Sequence, residues 1–278
     1  MVPCYNDSDG QMTNTDKNCC GQKNDGKRAD KQKHWKLGNI SREIHKKDGK
    51  YLEFGKESKQ MTKKEKVRII LDLLREHYGP TKCYLHHENP WQLLIATILS
   101  AQCTDDRVNL VTKDLFQKYT SIQDFAQADL AELEKDIHST GFYHNKAKNI
   151  IACCQKLLSE YGGEVPSDLD ALTSLAGVGR KTANVVRGNW YGIPSIVVDT
   201  HVKRVSNLLG LTSNQDPVKI EFDLMKIVPK DKWIDINTQM IAHGRKICIA
   251  RRPKCAECFL FPYCTGGQTR RKESEEKR

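Results

Sequence analysis

Four cysteines within seventeen residues, Cys248, Cys255, Cys258 and Cys264, constrain this chain more than any other feature. Their spacing is C-x6-C-x2-C-x5-C, in the stretch "CIARRPKCAECFLFPYC". Thiols that close in sequence can fold back on a single centre, whatever the rest of the chain does. The N-terminus, "MVPCYNDSDG", lacks the basic and then apolar pattern of a secretory signal. The eleven cysteines are therefore expected in a reducing compartment, where metal or cluster ligation is favoured over disulfides. Zinc prefers two C-x-x-C knuckles, or one with a histidine pair, and only one knuckle is present. A [4Fe–4S] cube asks for one thiolate per iron and suits uneven spacing. Spacing leaves both open, with the cube somewhat ahead. Phe259, Phe261 and Tyr263 between the cysteines favour a structural role over electron transfer. The first interval carries Arg251, Arg252 and Lys254. Tethered at both ends, it is a rigid basic loop placed to meet phosphates.

The charge balance agrees with that expectation. The formal net charge is +10 and the pI is near 9.0, which points to an anionic partner, nucleic acid first. No apolar run approaches the roughly eighteen residues that span a bilayer. Residues 1–60 read as a disordered basic tail, with 13 basic and 9 acidic residues and no apolar period. Cys4, Cys19 and Cys20 lie in it and complete no metal site.

From Thr62 onward the pattern is helical. "TKKEKVRIILDLLREHYGP" opens with a capping box of Thr62 and Glu65, and Gly79-Pro80 stops it. "NPWQLLIATILSAQ" has Asn89 as N-cap and Pro90 at the first position, and is apolar nearly all round, so it should be buried. Helices are also expected over about 144–161, in "SDLDALTSL" behind a Ser167 cap, in "DPVKIEFDLMKIV" behind Asp216, and in "DKWIDINTQMIAHGRKIC" from Asp231. Only "SIVV" at 195–198 looks strand-like, and it has no partner. The expected fold is all-α.

One loop stands out. In "SLAGVGRKTANVV" a short helix ends near Leu175, and another starts at Arg180 or Lys181. Gly177 and Gly179 flank Val178. Glycines permit positive φ and let another backbone come close. The free N–H groups of this loop and of the next helix's first turn make an anion site, suited to a DNA phosphate. The plain alternative is a glycine-capped connector. Lys181 shifts the balance. A lysine in a first turn opposes the helix dipole, and with Arg180 beside it and any desolvation its charged form is disfavoured. An amine so tuned can act as a nucleophile. The carboxylate to pair with it is Asp199 in "VVDTHVKRVSNLLGL". Asp199 also reads as an N-cap, and it could stabilise a cationic transition state or accept a proton. His201 is expected to contact the backbone or Asp199.

These stretches, with "LLIATILSAQCTDDRVN" and "GFYHNKAKNI", resemble the endonuclease III family of helix-hairpin-helix DNA glycosylases, collinearly over about residues 62–267. The resemblance implies two helical lobes with a DNA-binding cleft between them. A six-helix barrel with the hairpin would occupy 83–193. An iron–sulfur cluster lobe would combine 61–82 with 194–267, and 268–278 would be a charged C-terminal tail. It implies a [4Fe–4S] cluster on the four cysteines, Lys181 as Schiff-base nucleophile, Asp199 as catalytic carboxylate, and Gln102 as the residue filling the gap left by an extruded base. The implied partner is duplex DNA with damaged pyrimidines or abasic sites, met by a monomer, with no membrane. Between a bacterial and an organellar setting, the acidic residues throughout the tail favour a bacterial cytoplasm, at the nucleoid. Two departures matter. Ala176 stands where the family often has Pro, and Thr140 and Phe142 stand where bulky aliphatics are common. Side chains at these positions are expected to wedge into the duplex. Phe142 can still wedge or stack, whereas Thr140 is weaker, which bears on the preference for the opposite base. Rival readings are a mismatch glycosylase, which would usually lack the lysine, a non-catalytic docking module, and an electron carrier.

Overall fold

The computed structural model describes residues 61–80 and 82–276. The tail at 1–60, with Cys4, Cys19 and Cys20, lies outside the described residues, as do 277–278. Among the described residues all regular structure is helical, as expected. The helices are α1 (Lys63–Tyr78), α2 (Pro90–Leu99), α3 (Asp105–Lys118), α4 (Ile122–Ala126), α5 (Leu130–Ile137), α6 (Tyr143–Tyr161), α7 (Leu169–Thr173), α8 (Arg180–Asn189), α9 (Thr200–Leu208), α10 (Pro217–Ile227), α11 (Trp233–Lys246) and α12 (Thr265–Glu276).

Local chemistry sets most helix starts. Thr62 and Glu65 form the reciprocal capping box, and Gly79 closes α1 at φ 66°. Asn89 accepts from the Gln92 N–H with Pro90 at the first position. Asp216 does the same for α10. Two expected starts move. The cap of α7 is Asp168, which accepts from the Asp170 and Ala171 N–H groups, rather than Ser167. The stretch entered at Asp231 begins with a 3-10 turn, Lys230–Lys232, and α11 starts only at Trp233, without a side-chain cap. Helices α3, α4 and α5 are capped by Thr104, Ser121 and Asp129, signals that the sequence carries and that the reading of its periodicity passes over. Residues 268–276, expected as a charged tail, continue α12, whose Gly266 packs on Leu208 with no room for a Cβ.

Two apolar cores organise these helices. The first gathers buried residues of α2 to α8, among them Leu93, Leu99, Phe125, Ile150, Leu172 and Val186. α2 lies at its centre, with Leu93, Leu94, Ile95, Ala96, Ile98 and Leu99 all buried. A ten-residue helix is marginal alone. Burying such side chains at about 1.5–3 kcal/mol each is what holds it. The second core joins α1 (Val67, Ile70, Leu74) to residues far along the chain, such as Val202, Leu224 and Met240. The 195–198 segment is extended, as its pattern suggests. It is held by side chains rather than by a strand: the Asn237 amide donates to the Ser195 carbonyl and accepts from the Val197 N–H.

Candidate active site

The Ala176–Gly179 loop adopts the conformation its glycines allow. Gly177 has φ +75°, and a Cβ there would sit 2.9 Å from the Asn149 Cβ of α6. Gly177 is thus required twice, by its dihedral and by a close approach. At Gly179 a Cβ would meet nothing within 4 Å, so the backbone faces open space. The Val178 side chain is buried, and its N–H donates to the Leu175 carbonyl. Val178 therefore anchors the loop and does not itself offer a donor to an anion, contrary to expectation. The Gly177 and Gly179 amides have no hydrogen-bond partner among the described residues and remain as donors.

Lys181 lies exposed in the first turn of α8. Its neighbour Arg180 is not the free cation that the sequence suggests. The Arg180 Nε and Nη2 groups donate to the two oxygens of Glu221 at 2.8 and 2.9 Å, and the guanidinium lies over the Phe222 ring. Glu221 is buried on α10, in the second core, and it also accepts from the Asn184 amide at 3.1 Å. Asn184 in turn donates to the Ile196 carbonyl. Lys181 is thus bracketed by two residues anchored on one buried carboxylate. Lys181 itself is exposed, and the Arg180 charge beside it is paired.

Asp199 caps α9, its Oδ1 accepting from the His201 and Val202 N–H groups at 2.9 and 2.7 Å. Lys181 therefore opens a helix of the first core and Asp199 a helix of the second, and Asn184 links α8 to the segment that leads to Asp199. His201 touches the cap by its own backbone, as expected. Its ring meets Arg204 at 3.2 Å and packs on Gly244, where no Cβ would fit. Burial, opposed by Asp199 and aided by Arg204 and Arg245, pulls its pKa below the usual histidine value, so the ring is neutral near pH 7.

Gln102 and Phe142 are exposed and sit at φ 53° and 51°. Phe142 is 63% exposed, as a side chain that enters a duplex would be. Thr140, expected as the weaker of the two, is buried, and its hydroxyl donates to the Ile137 carbonyl, so of the two only Phe142 projects.

All four cysteines, Cys248, Cys255, Cys258 and Cys264, line one pocket with Leu209 and Leu260. Among the described residues no three His, Cys, Asp or Glu side chains gather tightly enough for a single ion. A lone zinc, with Zn–S near 2.3 Å, would need sulfurs about 3.8 Å apart. Four thiols lining one pocket can supply the one thiolate per iron that a cube needs. The Gly267 N–H donates to the Cys264 Sγ at 3.2 Å, and His243 Nε2 lies 3.5 Å from the Cys258 Sγ. Burial pushes the Cys258 thiol up to about 12, so the pocket favours thiolates only once a cationic centre binds them. Arg251, Arg252 and Lys254 are exposed on the loop between the first two cysteines, and the Lys254 N–H ties its end to the Ile247 carbonyl.

Sequence reasoning missed Glu221 and Asn184. Asn184 lies one turn after Lys181, where its spacing was a usable signal. Glu221 reads as an ordinary surface charge of an amphipathic helix.

The family model described as HhH-GPD superfamily base excision DNA repair protein matches residues 95–230. The model of the iron-sulfur binding domain of endonuclease III matches residues 248–264, the span from the first to the last cysteine of the set. Endonuclease III of Synechocystis sp. is 49% identical over 211 residues, which cover 76% of this chain and 96% of that protein. Two solved structures are similar: a non-covalent endonuclease III–DNA complex and a trapped endonuclease III–DNA covalent intermediate. Each has a TM-score of 0.73 and 47% identity, over 76% of this chain and all of theirs.

Proposed function

This chain belongs to the endonuclease III family of base excision DNA repair proteins, and from that premise we infer which of its residues carry the reaction. The protein is a DNA glycosylase and AP lyase, and its cofactor is a [4Fe–4S] cluster. We assign residues 83–193 to the barrel lobe, 61–82 with 194–267 to the cluster lobe, and DNA to the cleft between them. When bound, the cluster joins four points of the chain and keeps the loop at 249–254 in shape against the phosphates.

The target base lies stacked in a duplex and must be flipped out, at a cost of a few kcal/mol. Oxidised or saturated pyrimidines such as thymine glycol stack poorly and flip at lower cost, which contributes to their selection. Gln102 fills the gap and Phe142 wedges the stack. The Gly177 and Gly179 amides and the first turn of α8 hold a backbone phosphate. Asp199 accepts the proton that frees the Lys181 amine and stabilises the positive charge that develops on the sugar. The amine attacks C1′, and the bond to the base breaks with its electron pair leaving on the base. The sugar ring opens to a protonated Schiff base. Loss of a proton from C2′ then expels the 3′ phosphate by β-elimination and nicks the strand. A water-based glycosylase would need no lysine here and would not nick. The protein acts as a monomer in the bacterial cytoplasm, at the nucleoid.

The observation that carries this reading is the exposed Lys181 amine, placed directly after two unpartnered loop amides on a helix pinned by Glu221. Borohydride trapping on a duplex with one thymine glycol tests it. The wild type should give a covalent adduct and a nick. Lys181→Gln should give neither while binding the duplex with unchanged affinity. A wild type that releases base without an adduct would instead support a water mechanism.

A further inference from the structure

Among the described residues, only two that are not glycine have positive φ, Gln102 and Phe142. Both are exposed, and both lie on the loops that the proposed function sends into the duplex. An L-residue in that region costs about 1–2 kcal/mol and persists only where the surroundings dictate it. Neither loop has an obvious reason to hold it. Phe142 stands at the N-terminus of α6 without a side-chain cap, after a 3-10 turn, His138–Thr140, and Gly141. Gln102 follows the end of α2 by three residues.

One side chain reaches both loops. Lys146, in the first turns of α6, is 4% exposed. Its ammonium donates to the Leu99 carbonyl at 2.8 Å and to the Thr140 carbonyl at 2.9 Å. Leu99 closes α2, three residues before Gln102, and Thr140 closes the 3-10 turn, two residues before Phe142. The Lys146 N–H also donates to the Phe142 carbonyl at 3.2 Å. Carbonyls at helix ends carry partial negative charge, which suits a cation. Among the described residues no carboxylate is bonded to this ammonium. A buried charge without an acid partner is a poor source of stability, and an apolar side chain of equal length would fill the site at lower cost. Its placement makes sense as a clamp.

We propose that Lys146 is a positioning residue that fixes the spacing of the Gln102 and Phe142 loops, so that both side chains enter the same gap in the duplex together. The roles of the two loops rest on the proposed function. The pinning itself does not. Displacements of about 1 Å are enough to impair a reacting geometry, and two independently moving loops would exceed that.

The test uses full-length, cluster-loaded protein. Lys146→Met removes the donor at similar size. Thr112→Val, which removes a buried hydroxyl of α3 that bonds neither loop, is the matched control. In DNA-free protein, hydrogen exchange should rise tenfold or more in peptides covering 98–104 and 138–146 together, and stay unchanged over 248–264. Both variants are then made in the Lys181→Gln background and saturated with a duplex carrying 2-aminopurine opposite thymine glycol. There Lys146→Met should give less than half the fluorescence rise of the parent. With Lys181 intact, single-turnover base release should slow at least tenfold. Lys146→Arg keeps a cation and should hold exchange in both loops at the wild-type level. If the Met variant does not fold, Lys146→Gln, which is too short to reach both carbonyls, carries the test with the same expected rise. Behaviour of Lys146→Met like that of Thr112→Val would overturn the proposal, as would loosening of one loop without the other in either variant. If the wild type itself gives no adduct, the proposed function fails, and the exchange arm still decides whether Lys146 pins the loops.

Discussion

Gly177 and Gly179 differ only in their dihedrals and in what a methyl group would meet, and that difference separates stability from binding. Gly177→Ala forces an L-residue to φ +75° and drives a Cβ to within 2.9 Å of Asn149. It should destabilise the fold by about 1–3 kcal/mol, read as a lowered urea midpoint. Gly179→Ala meets open space at φ −89° and should leave the midpoint unchanged. It narrows the approach to the loop amides, and losing one such hydrogen bond should weaken binding to duplex DNA about two- to tenfold. Equal midpoints for the two variants would refute the geometry of the loop. At the same scale, the exposed Lys181 is simple and the buried residues around it are not. Arg180 next to it is paired with Glu221, and Asp199 is held at a helix start.

Between elements, two ion pairs join the two cores, and their burial ranks them. Arg180 and Glu221 tie α8 to α10, with the Glu221 side chain 5% exposed. Arg245 and Asp105 tie α11 to α3 at 2.6 Å, with side chains 42% and 21% exposed. Arg180→Ala leaves a buried carboxylate with only Asn184, at a cost of about 3 kcal/mol. For a domain of this size that lowers Tm by roughly 6–12 °C. Asp105→Ala should cost less than about 1 kcal/mol, because solvent already screens the pair. Calorimetry of the two variants tests the ranking. A similar small loss in both would mean that Glu221 is not the anchor of α8. The capping boxes of α1 and α4 are a different kind of device. They act within four residues and are legible in sequence, whereas neither ion pair is.

For the whole molecule, the excess positive charge becomes a binding term where it is exposed. Arg251, Arg252 and Lys254 project from the loop between Cys248 and Cys255. If each neutralises a phosphate, removing all three should reduce the slope of log K against log salt by about 2–3. Fluorescence anisotropy between about 50 and 200 mM salt measures it. The same triple variant should trap normally on a saturating substrate, because none of the three touches the reacting sugar. An unchanged slope would remove this loop from the interface.

Much of this protein follows from rules that act over a few residues. A side-chain cap, a proline at a first helical position, a glycine at positive φ and a tight set of thiols need only near neighbours. Thus α1, α2 and α10, the turn at Gly177 and the cysteine pocket are legible in the sequence alone. So is Lys181 at the start of α8. Burial and partners are another matter, because they depend on which distant segments pack together. Glu221 meets Arg180 across 41 residues, and Lys146 meets Leu99 across 47. Thr140 and Phe142 look alike as loop residues, yet one is 2% exposed and the other 63%. Local pattern was enough for most of the helices, for the close-spaced cysteines and for the place of Lys181 at a helix start. Packing settled which charges are paired and which side chain projects, since desolvation and hydrogen-bond partners are properties of the assembled core.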